Sequence, residues 1–184
     1  MNPWDAFSAD GHAATWETWD GDHTESLTLR WENEAWTATG VLDRERIEYV
    51  LRLSPTWRVR QFLLFRDLDQ PDLWLGTDGH CRWGEVNGAH RTDLDGCDDI
   101  EVPSSAFAPT VPLRRLPLAV GDAAETASVV VDVETLAVVP ATRRYTRIGP
   151  RRWRRWRSET GETDEFEVDD HGLALDQPGR SRRR

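Results

Sequence analysis

Five carboxylates crowd one thiol in this chain: Asp93, Asp95, Asp98, Asp99 and Glu101 surround Cys97. Side chains of these types could serve a hydrolase or isomerase, with Asp95, Cys97 and Asp99 as the reacting cluster and a perturbed carboxylate among them. The acids work against the thiol, because neighbouring negative charge raises its pKa and disfavours the thiolate. A small-residue and proline segment follows, then two adjacent arginines, Arg114 and Arg115. A guanidinium binds a carboxylate or phosphate in bidentate fashion. If this part of the chain is extended, the two point to opposite faces and at most one meets a given cavity. Asp95, Asp98, Asp99 and Glu101 are ready internal partners. Such charges beside Ile100, Val102, Leu113 and Leu116 need pairing if they are buried.

Other constellations are weaker. His80, Cys81, His90 and Cys97 carry metal-ligating atoms but lack CxxC, HxxxH or any other tight pair, so neither a metal nor another cofactor is expected. No GxSxG is present. Many carboxylates could be paired as in a glycosidase, which makes that signal unspecific. In TWRVRQF, alternation puts Arg58 and Arg60 on one strand face, opposite Trp57, and both faces turn apolar further on. That suits a central strand whose arginines point into a cavity. Residues 143–157 hold 8 arginines and no acid, with Tyr145, Trp153 and Trp156 interleaved. Phosphate contact with base stacking would use such a hairpin, although Trp153 and Trp156 fall on opposite faces. The strong acidity of the whole chain argues against nucleic acid as a partner.

The elements that must position these residues read as strands. Leu27, Leu29 and Trp31 alternate with polar residues, and Ile47, Tyr49, Leu51 and Leu53 share a face. Asn33–Glu34 turns the chain. Asp78–Gly79 and Asn87–Gly88 suit type I′ hairpins, whose two central residues need positive φ. About twelve strands with turns every 8–12 residues predict an all-β fold, an antiparallel sheet closed or curled on itself. Helix is expected only at Ser104–Ala108, capped by a serine. A frayed start over 1–12, one domain over 13–178 and a disordered arginine-rich tail over 179–184 complete the expected organisation.

Composition bounds the rest. All 23 basic residues are arginine, against 33 acids, for a net charge of −10. Residues 1–140 carry 11 Arg and 25 acids, a balance of −14, and residues 141–184 carry 12 Arg and 8 acids, or +4. A lysine-free, acidic composition suggests a salt-loving source, where surface charge keeps the protein soluble. Neither a spanning segment of about 20 apolar residues nor a secretory signal is visible, so a cytoplasmic location is expected. Two cysteines are too few for a disulfide framework. Ten tryptophans, nine of them at strand positions, suit either a core of hydrogen-bonded indoles or the wall of a cavity for an apolar or sugar-bearing ligand.

The run LDGCDDIEVPSSAFAPTVPLRRL resembles the signature of a glycolipid-binding family of bacterial and archaeal proteins. TWRVR, HCRW, RRYTRI and VDDHGLALDQPG extend the likeness over roughly residues 14–180. The positions carrying it are Trp57, Arg58, Arg60, Trp83, Asp95, Gly96, Cys97, Asp99, Pro112, Arg114, Arg115 and Tyr145. The resemblance implies a spiral β-roll likened to lipoprotein carriers with an apolar half-barrel cavity, and an amphipathic or lipid ligand. In that reading Trp57, Arg58, Arg60, Trp83, Arg114, Arg115 and Tyr145 contact the ligand, while Asp95, Gly96, Cys97, Asp99 and Pro112 form a structural motif. FAPTVP and Gln177 depart from the family's pattern, which prefers polar residues at the first and an aromatic at the second.

Overall fold

A computed structural model describes residues 3–43, 46–67 and 69–184; Met1 and Asn2 of the expected frayed start lie outside them. The chain is all-β. Strands β1 (His12–Thr18), β2 (Thr24–Glu32), β3 (Ala35–Leu42), β4 (Ile47–Leu53), β5 (Val59–Phe65), β6 (Leu73–Thr77) and β7 (Trp83–Glu85) form an antiparallel meander. A second sheet contains β8 (Asp99–Glu101), β9 (Ala123–Val131), β10 (Val138–Arg147), β11 (Arg152–Arg157) and β12 (Thr163–Glu167), in the order β12-β11-β10-β9-β8. Strand β13 (Ser181–Arg183) returns to pair with β1, so the first sheet has eight strands.

Three expectations change here. The roll was expected as a single curled sheet, but the strands divide between two sheets, and β13 and β7 lie unpaired to each other at the ends of the larger one. Alternation reports that a strand has a buried face, not which strand edges join. The tail, read as disordered from its charge, supplies β13: Arg183 pairs with Trp16 in register and lies 4.8 Å above its ring. The segment from residue 3 is also anchored, since Trp4 and Phe7 are buried and the Trp4 indole donates to the Leu113 carbonyl at 3.0 Å.

Turn chemistry explains the local register. Asn33 and Glu34 both have positive φ (50° and 57°) and join the paired residues Glu32 and Ala35, which makes this the tight two-residue hairpin. Asp78–Gly79 and Asn87–Gly88 depart from the type I′ expectation, because only their glycines have positive φ. The helix is displaced from Ser104–Ala108 to α1 (Thr110–Arg115), and Pro109, not a serine, precedes it. Its position follows from topology. β8 and β9 are parallel neighbours, and a parallel pair requires a crossover connection, which α1 provides.

Ile47, Tyr49, Leu51 and Leu53 are buried as alternation predicts, and they join Ile100, Val102, Val129 and Val131 of the second sheet in one core. Trp31 departs from its pattern: it is exposed and packs edge-on against Trp36. A second cluster holds Trp4, Leu113, Tyr145, Trp153, Phe166 and Val168. Among the described residues, no helix is long and apolar enough to cross a membrane.

The inner face of the smaller sheet is charged. Arg143 is fully buried and pairs with Glu101 at 2.5 Å and Glu159 at 2.6 Å. Arg155 and Arg157 share Asp164 at 3.0 and 2.9 Å. Breaking a buried pair strands a charge. Glu101→Ala is therefore expected to cost about 3 kcal/mol or more in urea unfolding, whereas Glu165→Ala, which removes the exposed partner of Arg152 and Arg154, should barely shift the curve.

Candidate functional site

The arginines and acids that stand out in the sequence are mainly structural. Arg115 donates to Asp99 through Nη2 at 2.6 Å and Nε at 3.2 Å, and Thr126 Oγ1 reaches the same carboxylate at 2.8 Å. Burial pushes the Asp99 carboxyl up and Arg115 pulls it back. Arg58 is half-exposed and reaches Asp98 at 3.6 Å. Cys81 Sγ donates to that carboxylate at 3.5 Å. Arg60 faces solvent, in a shallow depression with Arg52, Asn33 and Glu34. The β4–β5 register shifts beside it, at Arg52/Leu53. Arg58 precedes β5 and is exposed, and Arg60, on that central strand, leaves by its outer face.

Arg114 and Arg115 sit in the last turn of α1 rather than on a strand, so they diverge without facing opposite ways. Arg114 lies over the rings of Phe7 (4.6 Å) and Trp57 (4.5 Å) and donates to the carbonyls of His171 (2.5 Å) and Asp5 (3.2 Å). Burial pulls its pKa down to about 10. Trp57 presents its ring from a left-handed backbone, φ 63°, that non-glycine residues rarely adopt. Pro112 lies inside α1, where its carbonyl accepts from Leu116.

Around the thiol, Asp95 accepts from the Trp83 amide at 3.1 Å and His90 Nε2 at 2.8 Å. Gly96 turns at φ 87° and donates its amide to the Cys81 carbonyl. The buried Trp83 indole donates to the Cys97 carbonyl at 2.9 Å. Cys97 is 2% exposed, and burial, then neighbouring Cys81 and acids, push its thiol up to about 11. Of the three residues in the suggested reacting cluster, Cys97 and Asp99 are buried and Asp95 is exposed. Tyr145 is buried beside Trp153 and Phe166. In the arginine-rich hairpin, Arg143, Arg155 and Arg157 point inward to acids, while Arg152 and Arg154 pair with Glu165.

The best-formed cavity lies elsewhere, at the end of the large sheet where β1 and β3 finish and β2 and β4 begin. It encloses about 340 Å³ and is roofed by the 103–106 loop and the 177–181 turn. Trp16, Leu42, Ile47, Ala106 and Val133 give it apolar walls, and Glu25, His23, Ser104, Gln177 and Arg180 bring polar groups. None of the seven ligand-contact residues expected from the sequence lines it.

Glu25 is its most constrained group. It shares the strand face of Leu27 and Leu29 and is 4% exposed. Tyr49 Oη (2.7 Å) and Ser105 Oγ (2.5 Å) donate to one carboxyl oxygen, and the Ala106 amide (2.6 Å) donates to the other. Burial nevertheless pushes the carboxyl up from its ordinary value. Tyr49 reaches it across Gly40: a Cβ there would lie 2.1 Å from the Tyr49 ring. The acid on an apolar strand face, and a glycine opposite a tyrosine, were the sequence signals for this arrangement. Trp16 completes the wall with its indole donating to the Ala174 carbonyl at 2.7 Å.

Two outcomes follow from this geometry. Gly40→Ala is expected to destabilise by about 1–3 kcal/mol through overpacking, and the loss should shrink in a Tyr49→Val background, as a double-mutant urea cycle would show. Because the folded-state pKa of Glu25 lies above the ordinary 4.5, the native state keeps a proton that the unfolded chain releases. Its contribution to stability is full below pH 4.5 and is lost as pH rises through the raised value. Glu25→Gln should flatten that part of the stability–pH profile.

A crystal structure of a DUF1089 family protein from Pseudomonas aeruginosa is similar to this chain at 26% identity, with a TM-score of 0.72 over 98% of this chain and 95% of that one. No curated protein matches it. Residues 13–183 match the family described as "Putative glycolipid-binding", and the chain belongs to that family.

Proposed function

We propose that this protein binds an amphipathic molecule of glycolipid type in the cleft between the end of the large sheet and the 103–106 and 177–181 segments. The observation that carries this reading is the division of the cleft lining. Trp16, Leu42, Ile47 and Val133 offer apolar surface, while His23, Ser104, Gln177 and Arg180 supply polar groups for a head group. Ligand sites commonly combine apolar walls with a few placed polar groups, and a volume near 340 Å³ lies at the lower end of their range. It suits a head group and the first part of a chain, with the remainder running out through the open side. Trp16, held by its own hydrogen bond and covered by Arg183, backs the apolar wall. The family description supports the same reading. Arg58, Arg60, Arg114 and Arg115 lie outside the cleft, and the reading does not rest on them.

Titration with a neutral glycolipid-like amphiphile, dodecyl maltoside below its micelle concentration, tests the reading through intrinsic tryptophan fluorescence. Saturable binding is expected. Ser104 is exposed at the cleft, so Ser104→Trp should fill the entrance without disturbing the core and weaken binding by about tenfold or more. Absence of saturable binding, or binding that Ser104→Trp leaves intact, would count against the cleft.

A further inference from the structure

Part of the cleft holds donors that find no acceptor among the described residues. Gln177 and Arg180 both line it. Gln177 is 4% exposed, and its Nε2 has no acceptor among the described residues. The Arg180 guanidinium makes one hydrogen bond among those residues, from Nη2 to the Pro103 carbonyl at 3.0 Å. Near Arg180, Arg157 is 6% exposed; it gives Nη1 to Asp164 at 2.9 Å and leaves Nη2 without an acceptor. Asp164 also takes Arg155 at 3.0 Å, so one carboxylate serves two guanidinium groups. Burial first, then repulsion by Arg157 and Arg155, lowers the Arg180 pKa.

Among the described residues, three acids near this corner are committed elsewhere. Glu17 is held by Arg184, Glu101 by Arg143, and Glu25 by Tyr49, Ser105 and the Ala106 amide. His23 faces Asp43 at 3.6 Å. What remains among the described residues is a guanidinium and a buried amide, both on residues that line the cleft, with a second cation near them. Unpaired buried charge and unmatched donors are both costly, and an anionic oxygen group would answer both. The two cleft residues are also held in place. The Gln177 amide donates to the Ser181 carbonyl at 2.7 Å, the Arg180 and Ser181 amides return to the Gln177 carbonyl, and Gly179 supplies the positive φ between them. The turn leads directly into β13 and its pairing with β1.

Building on the cleft reading above, we infer that Arg180 and Gln177, backed by Arg157, form a subsite for an anionic group such as phosphate, sulfate or carboxylate on the head of the bound amphiphile. The ligand class narrows accordingly from neutral to anionic amphiphiles. Arg supplies the charge, and the Gln177 amide supplies a directed donor that distinguishes an oxyanion from a counter-ion in solution.

Calorimetric titration of the full chain with dodecyl phosphate, dodecyl maltoside and inorganic phosphate tests this. Dodecyl phosphate is expected to bind about tenfold tighter than dodecyl maltoside or better. Arg180→Gln should bring that affinity ratio close to unity. Gln177→Glu should do the same by placing a carboxylate beside Arg180, and it carries the test if loss of the Pro103 contact unfolds the first variant. Equal affinity for the two amphiphiles in the unaltered protein would overturn the anionic subsite and leave the cleft standing. Binding of neither amphiphile would overturn both. Inorganic phosphate binding as tightly as dodecyl phosphate would overturn the assignment to a ligand's head group.

Discussion

A carboxylate or guanidinium removed from water has to find an opposite charge or a set of hydrogen bonds, and that constraint governs the interior of this protein. Asp99 and Glu101 lie on the short strand β8, both buried, and each takes an arginine from a distant element: Arg115 from α1 and Arg143 from β10. These pairs fasten the crossover helix and the middle of the smaller sheet to the strand that follows the acidic loop. Asp99 and Glu101 thus act as a framework. Catalytic sites and buried ion pairs draw on the same residue types.

The large sheet meets the same constraint differently. Among the described residues no cation pairs with Glu25, which is held by a hydroxyl pair and a backbone amide. That solution depends on backbone proximity, since Tyr49 can reach over β3 only where Gly40 leaves room for its ring. The three donors come from β4 and the 103–106 loop, so the carboxylate ties the roof of the cleft to its floor. Elsewhere along the cleft, among the described residues, Asp164 is shared by two guanidinium groups and Arg180 donates to the Pro103 carbonyl.

Tryptophan plays both of the parts its chemistry allows. Trp4, Trp83 and Trp153 are core residues, the first two with their indole nitrogens on backbone carbonyls. Trp16 is equally buried yet shows part of its surface to the cleft. Trp19, Trp31 and Trp74 stand at the surface. The abundance of indoles identified a residue type suited to a cavity without marking which of them would line one.

What was legible in the chain was local. Period-two alternation identified the strands and the buried face of β4, and the acid run with its arginines announced that charges would need partners. The family signature was carried by the same residues. The short-range origin of these features explains why they could be read: pleat, turn dihedrals and the cost of unpaired charge act within a few residues. Tertiary structure alone decided the division into two sheets, the parallel β8–β9 pair, the recruitment of a charged tail as β13 and the outward course of Arg58 and Arg60. It also placed the cleft among Trp16, Glu25, Ser104 and Arg180, which lie up to 164 positions apart. Strand edges carry no side-chain label, so which edges join, and what cavity their ends enclose, follows from packing the whole chain.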